Sequence, residues 1–211
     1  MHSDPELGCH ELLLRLAGRL PDELLWRYRD WLAGGAVDVL VHALPRALLR
    51  DRIGLTEAEY ELLGAALLPL GADRAAVLSV SLLDDTGGFG LRDWSFTADD
   101  PRGGGGDQAA VVLGAAMRGR PGVREVRCSW RYPAGGDPDA AKRVILVTTS
   151  ASAEVVALTG ELQRVLRALG EHEPCVEVLP ADYQPSPYHQ EALDASILVC
   201  AGADSLASSG A

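Results

Sequence analysis

"VREVRCSWRYPAGGDPDAAKRVILVTTS", residues 123–150, decides the fold class. Successive side chains of an extended chain point to opposite faces. Its first part therefore sets Val126, Cys128, Trp130 and Tyr132 on one face and Arg127, Ser129 and Arg131 on the other. "PAGGDPDA" supplies the residues of a turn. "KRVILVTTS" is an apolar run of the length and β-branched content expected of a buried strand. Downstream, "SAEVVALTGELQRVLRALG" places Val155, Leu158, Leu162, Val165, Leu166 and Leu169 on the apolar stripe of a helix. "CVEVLP" reads as another strand. "SPYHQEALDASILVCAG" reads as a last helix with Pro187 in its first turn, and "ADSLASSGA" as a loose tail.

Working toward the N-terminus, "DQAAVVLGAAMRG" is a helix capped by Asp107. "LRDWSFTAD" is a strand with Trp94 and Phe96 on one face, and "AAVLSVSLLDD" alternates as a strand does. The order is β-β-α-β-β-α-β-α. Without its second strand and last helix it becomes β-α-β-β-α-β, the ferredoxin-like order, an antiparallel sheet with its helices on one face. Residues 1–72 follow a helical grammar instead. In "LPDELLWRYRDWLAGG", Leu24, Leu25, Tyr28, Trp31 and Leu32 share a face and Gly34-Gly35 ends the helix. "AVDVLVHAL" continues the pattern until Pro45, where an interior proline costs about 3 kcal/mol, so a break is expected with Pro45 opening "PRALLRDR". Thr56 and Glu59 form a capping box for the next helix. The expected fold is α+β: a helical module over 1–72, then a ferredoxin-like α+β domain over 73–211 with an extra hairpin strand and a C-terminal helix, joined near Gly71–Arg74.

The charge of the chain excludes several functions. The formal net charge is −11 and the pI about 4.8, with both parts acidic, so the basic face of a nucleic-acid binder is not expected. Lys142 is the single lysine beside eighteen arginines. No run reaches the roughly 18 apolar residues of a membrane span. The start "MHSDPELGCHELLLRLAGRLPDE" is interrupted by Arg15 and Arg19 and lacks the layout of a signal peptide. A cytoplasmic protein away from membranes is expected. Cys9, Cys128, Cys175 and Cys200 form no C-x-x-C pair, so neither a zinc site nor a disulfide frame is indicated.

"DDTGGFGLRDWSFTADDPRGGGGD", residues 84–107, holds seven glycines and six aspartates. A phosphate cradle at a helix start calls for Lys, Ser or Thr nearby; here an anion would meet Asp99, Asp100 and Asp107. Asp84, Asp85, Asp93, Asp99 and Asp100 offer oxygens to calcium, but their spacing matches no D-x-D-x-D-G loop. The stretch therefore reads as a hairpin turn followed by a glycine bridge. Of the histidines, His2 and His10 lack a second metal-ligating pair, His42 lies in an apolar helix, and His172 follows a helix end. His189 opens a helix beside Tyr188, where an imidazole is suited to act as a base. No G-x-S-x-G, H-E-x-x-H or G-x-x-x-x-G-K-[ST] occurs.

Arg127 and Arg131, alternating with Ser129, form a cationic ledge on an otherwise acidic chain. With Tyr188 and His189 they are the candidate partner-binding residues. The expected function is a non-enzymatic interaction or regulatory protein, an adaptor for another protein chain or for a second copy, with no cofactor, no metal and no catalytic residue. The alternative is a small-molecule sensor or enzyme whose pocket on an open sheet face uses Arg127, Arg131 and His189.

Overall fold

A computed structural model of the chain describes residues 4–83, 94–103, 107–150 and 154–203. The hairpin turn and most of the glycine bridge read from residues 84–107 lie outside the described residues. The chain divides into two units, Met1–Arg92 and Asp93–Ala211.

The first unit contains α1 (Pro5–Arg15), α2 (Asp22–Ala33), α3 (Val37–Arg50), α4 (Glu57–Leu67) and α5 (Arg74–Leu78). Asp4 caps α1 by accepting from Glu6 N–H at 2.9 Å. The capping box of α4 forms as expected: Thr56 N–H donates to Glu59 Oε2 at 2.9 Å, and Glu59 N–H to Thr56 Oγ1 at 3.3 Å. Gly8 lets α1 lie close on α4, because a Cβ there would come within 3.1 Å of Ala66 Cβ. Two expectations fail in this unit. Pro45 lies inside one continuous helix rather than at a break; the buried stripe Leu40, Val41, Leu44, Ala47 and Leu48 runs across it and holds both halves on the same core. The strand expected over 75–85 begins as helix α5, which Asp73 caps by accepting from Ala75 N–H at 2.9 Å. The cap and the alanines outweigh the alternation of Val77, Ser79 and Ser81. Among the described residues of this stretch, extended pairing appears beyond it, as a parallel bridge between Leu55 and Leu82.

The second unit is a mixed five-stranded sheet with helices. Its strands are β1 (Trp94–Thr97), β2 (Val123–Pro133), β3 (Lys142–Thr149), β4 (Cys175–Leu179) and β5 (Ile197–Ala201), and its helices α6 (Gln108–Met117), α7 (Val155–Ala168) and α8 (Pro187–Asp194). β2 pairs antiparallel with β3, and β3 parallel with β4. The other edge of β2 is shared end to end: β1 pairs with its residues 130–133 and β5 with residues 125–128, both antiparallel.

Register fixes what each face carries. Val126, Cys128, Trp130, Arg143, Ile145, Val147, Val176 and Val178 share one face; Arg127, Ser129, Arg131, Val144, Leu146, Cys175 and Glu177 share the other. α6 and α7 cover the first, since Arg143 reaches both Asp107, the cap of α6, and Glu171, just past α7. α8 covers the second, packing Ala192 and Leu193 on Val144, Leu146 and Cys175.

The sheet is therefore mixed rather than antiparallel, and its helices lie on both faces rather than one. The parallel β3–α7–β4 unit joins neighbouring strands through a helix, the connection that parallel strands need. The expected last helix is also shorter. α8 stops at Asp194, Ser196 Oγ donates to Leu193 O at 2.6 Å, and the apolar, β-branched run from Ile197 extends as β5.

Candidate functional site

β2 sets Arg127, Ser129 and Arg131 side by side as the alternation requires, but the face they occupy is not open. Arg131 is 1% exposed. Its guanidinium donates to Tyr188 Oη at 2.7 Å and to Cys175 Sγ at 3.4 Å. It stacks 4.3 Å from the Trp94 ring centroid and 5.5 Å from that of Tyr188. Aromatic faces carry negative potential, so two rings compensate part of the hydration this cation has given up. Arg127 points toward the other end of α8, donating through Nε to Ser196 Oγ at 2.7 Å, through Nη2 to Ser196 O at 3.2 Å, and through Nη1 to Glu125 at 3.1 Å. It thus grips the joint between α8 and β5. Ser129 lies between the two arginines, fully buried, and its Oγ has no hydrogen-bond partner among the described residues.

The N-terminus of α8 brings His189 over β4. His189 is fully buried and Glu177 1% exposed, with Nε2 to Oε2 at 3.2 Å. Nδ1 lies 2.8 Å from Ser186 Oγ and 3.5 Å from Tyr183 Oη. With Glu177 ionised, the imidazole carries its proton on Nε2, and Nδ1 accepts from a hydroxyl. Ser186 also caps α8. Tyr183 and Tyr188 meet the imidazole edge to face, with centroids 5.5 and 5.3 Å away. The result is a hydrogen-bonded run from a buried carboxylate through an imidazole to two half-buried hydroxyls.

Three of the four residues singled out in the sequence, Arg131, Tyr188 and His189, therefore meet in one cluster, while Arg127 belongs to a second, at Ser196. The cluster also includes Trp94, Cys175, Glu177, Tyr183 and Ser186, none of which the sequence marked as a site residue. One signal for Glu177 was present: an acid between two valines of an apolar strand must be buried with a partner.

The opposite face carries a second cation–aromatic group. Trp130 meets both Arg143 and Arg102, whose Cζ atoms are 4.4 and 4.6 Å from its ring centroid. Arg143 is bound by Asp107 and, at 2.7 Å, by Glu171. Burial raises the Glu171 carboxyl above its ordinary pKa although Arg143 opposes the shift. The Cys128 thiol is pushed up to about 11 by burial, again against Arg143, which leaves it protonated and unreactive near neutrality. Asp100, one of the acids weighed as a calcium ligand, is held below its ordinary pKa by hydrogen bonds from Arg102. Among the described residues no group of His, Cys, Asp and Glu could hold a metal ion, and no helix is long and apolar enough to cross a membrane.

What the second unit leaves on its surface is an edge. β5 has no ladder partner on its outer side among the described strands. Ile197 and Leu198 on it are 46% and 53% exposed, and Val111 on α6, which packs against β5, is 71% exposed. Comparison of the chain with protein-family models, curated proteins and solved structures gave no match.

Proposed function

We propose that the protein is a non-enzymatic interaction module that takes up an extended segment of a partner protein along β5. The observation that supports this is the edge strand itself, with exposed Ile197 and Leu198 on a strand that has no second ladder partner among the described strands. Such an edge is a template for another strand, and added strands gain affinity from the main chain and specificity from alternate side chains. The net charge of −11 favours a segment whose apolar residues are flanked by basic ones. In this reading Arg127, Arg131, Tyr188 and His189 act from beneath, fixing α8 and the start of β5 so that the edge is rigid before the partner arrives. A cytoplasmic setting goes with it, since the four cysteines are buried thiols outside any disulfide.

The test is a peptide array read with amide hydrogen exchange. Extended apolar peptides with basic flanks should bind and protect the β5 amides. Leu198→Lys and Ile197→Lys should each weaken binding at least about tenfold, a loss of about 1.4 kcal/mol, and change stability by no more than about 0.5 kcal/mol, as is usual for exposed positions. Binding indifferent to both substitutions would sink the proposal. Self-association abolished by the same substitutions would replace the partner with a second copy.

A second reading, an enzyme or small-molecule sensor, draws on the run Glu177–His189–Ser186. Its hydroxyl end is half-buried and placed as a serine nucleophile is beside its base. Labelling of Ser186 by a fluorophosphonate, lost in His189→Gln, would favour it over the docking module. An inert Ser186 would leave the run a structural tie.

A further inference from the structure

The one non-glycine residue with positive φ among those described is Arg52, at 54°. Its place explains the angle. α3 ends in paired bonds, Arg52 N–H to Leu49 O at 3.3 Å and Ile53 N–H to Leu48 O at 2.9 Å. This is the six-to-one and five-to-two pattern that closes a helix with a left-handed residue, a position most often given to glycine. The chain uses glycine at its other positive-φ positions among the described residues, Gly18, Gly35 and Gly71 in this unit included. An arginine there is strained, and backbone strain of this kind gathers at functional positions.

The strained turn opens onto a groove of about 360 Å³ lined by Leu48, Leu49, Arg52, Ile53, Gly54 and residues 81–83. That volume is within the range of small-molecule sites. Leucine and isoleucine side chains share its walls with the polar groups of Arg52 and Ser81, and Leu49 and Leu82 stand 37% and 52% exposed on them. Gly54 lies close to the far wall, where a Cβ would come within 2.9 Å of Leu83 Cδ2 and that side chain would have to shift. The main-chain groups of that wall are satisfied: Leu55 N–H donates to Ser81 O at 3.0 Å, and Leu83 N–H to Leu55 O at 2.7 Å. The neighbouring Asp51 carboxylate is held at 2.7 Å by both Arg50 Nε and Nη2. The Arg52 guanidinium makes no ion pair or hydrogen bond with any described residue. The groove thus sets aliphatic side chains beside one exposed cation that has no partner among the described residues.

We propose that this groove binds an aliphatic monoanion, a straight-chain carboxylate whose head pairs with Arg52 and whose tail lies along Leu48, Leu49, Ile53 and Leu82. At roughly 30 Å³ for each water-sized unit, the groove holds about a dozen heavy atoms, which sets a medium-length chain. The site lies in the first unit and is independent of the β5 edge.

Titration calorimetry of the full chain with monomeric decanoate tests it. One saturable site is expected. Shortening the acid should weaken binding about fourfold for each methylene removed, the value of one buried CH₂ group. Nonyltrimethylammonium, with the same nine-carbon tail and the opposite charge, should bind at least about tenfold more weakly. Arg52→Gly removes the cation while suiting the backbone, so it should weaken decanoate about tenfold and leave the melting temperature equal or higher. Leu82→Asp, at an exposed position, should abolish binding with the fold intact. No saturable binding, equal binding of the cationic and anionic amphiphiles, or an Arg52→Gly variant that binds as the parent does would each overturn the proposal.

Discussion

Glu177 and His189 sit beneath α8 with almost no exposed surface, so their contact at 3.2 Å supplies part of what water would have supplied. Removing one partner of such a buried pair costs up to about 3–5 kcal/mol. His189→Ala is therefore expected to destabilise the second unit by that amount in urea denaturation. Replacing both residues by leucine should cost much less than the sum of the single changes, because an apolar pair of similar volume needs no partner. At this scale the sequence was informative about direction and silent about cover. The alternation through Arg127, Ser129 and Arg131 was legible and the register confirms it. That Arg131 would be enclosed by Trp94 and Tyr188 was not, because both rings come from segments distant in sequence. The Thr56–Glu59 box and the Asp107 cap were legible because caps are local chemistry within one turn.

Between elements, the tie at the α6–α7 corner is Arg120 to Glu161, with both Nη atoms on the two carboxylate oxygens at 2.6 and 2.7 Å. Arg120 holds the Glu161 carboxyl below its ordinary value of 4.5. A lowered folded-state pKa gives stability that is present above the unfolded pKa and lost as pH falls through the folded one. Glu161→Gln should therefore be less stable than the parent at neutral pH, and the difference should shrink below about pH 4.5. Glu171 has the opposite sign. Its pKa is raised, chiefly by burial, so its contribution is present at low pH and lost as pH rises through the raised value. Glu171→Gln should accordingly become more favourable relative to the parent as pH rises through the carboxylate range. Paired urea titrations from pH 3 to 7 check both slopes. The element errors have physical causes. β3 shows Val144, Ile145, Leu146 and Val147 all buried, and such an unbroken apolar run marks a strand covered on both faces, a signal that outweighs any motif order. The helix expected to run on past Asp194 stops because β5 has an edge of β2 to complete, a tertiary demand that local period does not reveal.

On the scale of the whole molecule, the division into Met1–Arg92 and Asp93–Ala211 carries a direct expectation. Residues 93–211 expressed alone should melt cooperatively and retain the sheet, as read by circular dichroism and amide exchange, because each unit has its own buried core. A fragment that stays unfolded until residues 1–92 are supplied would show that the cores are not independent. The change of grammar from helical period to alternation was visible along the chain, but the capped turn of α5 carries helix beyond the point where alternation begins.

β2 is eleven residues long, and one of its edges is completed by two strands, β1 from before it and β5 from some seventy residues after it. In a nascent chain emerging from the ribosome, β1, β2, β3 and β4 are all available before β5 has been made. Until then residues 125–128 present a bare edge next to a neighbour's identical one. The last strand synthesised is the one that closes this gap, so translation that stalls or ends before residue 197 would release a sheet with its hydrogen-bonding groups open at the middle. Such an interval invites pairing between copies on one message, and the seal against it is carried by the same strand whose outer side has no strand partner among the described residues.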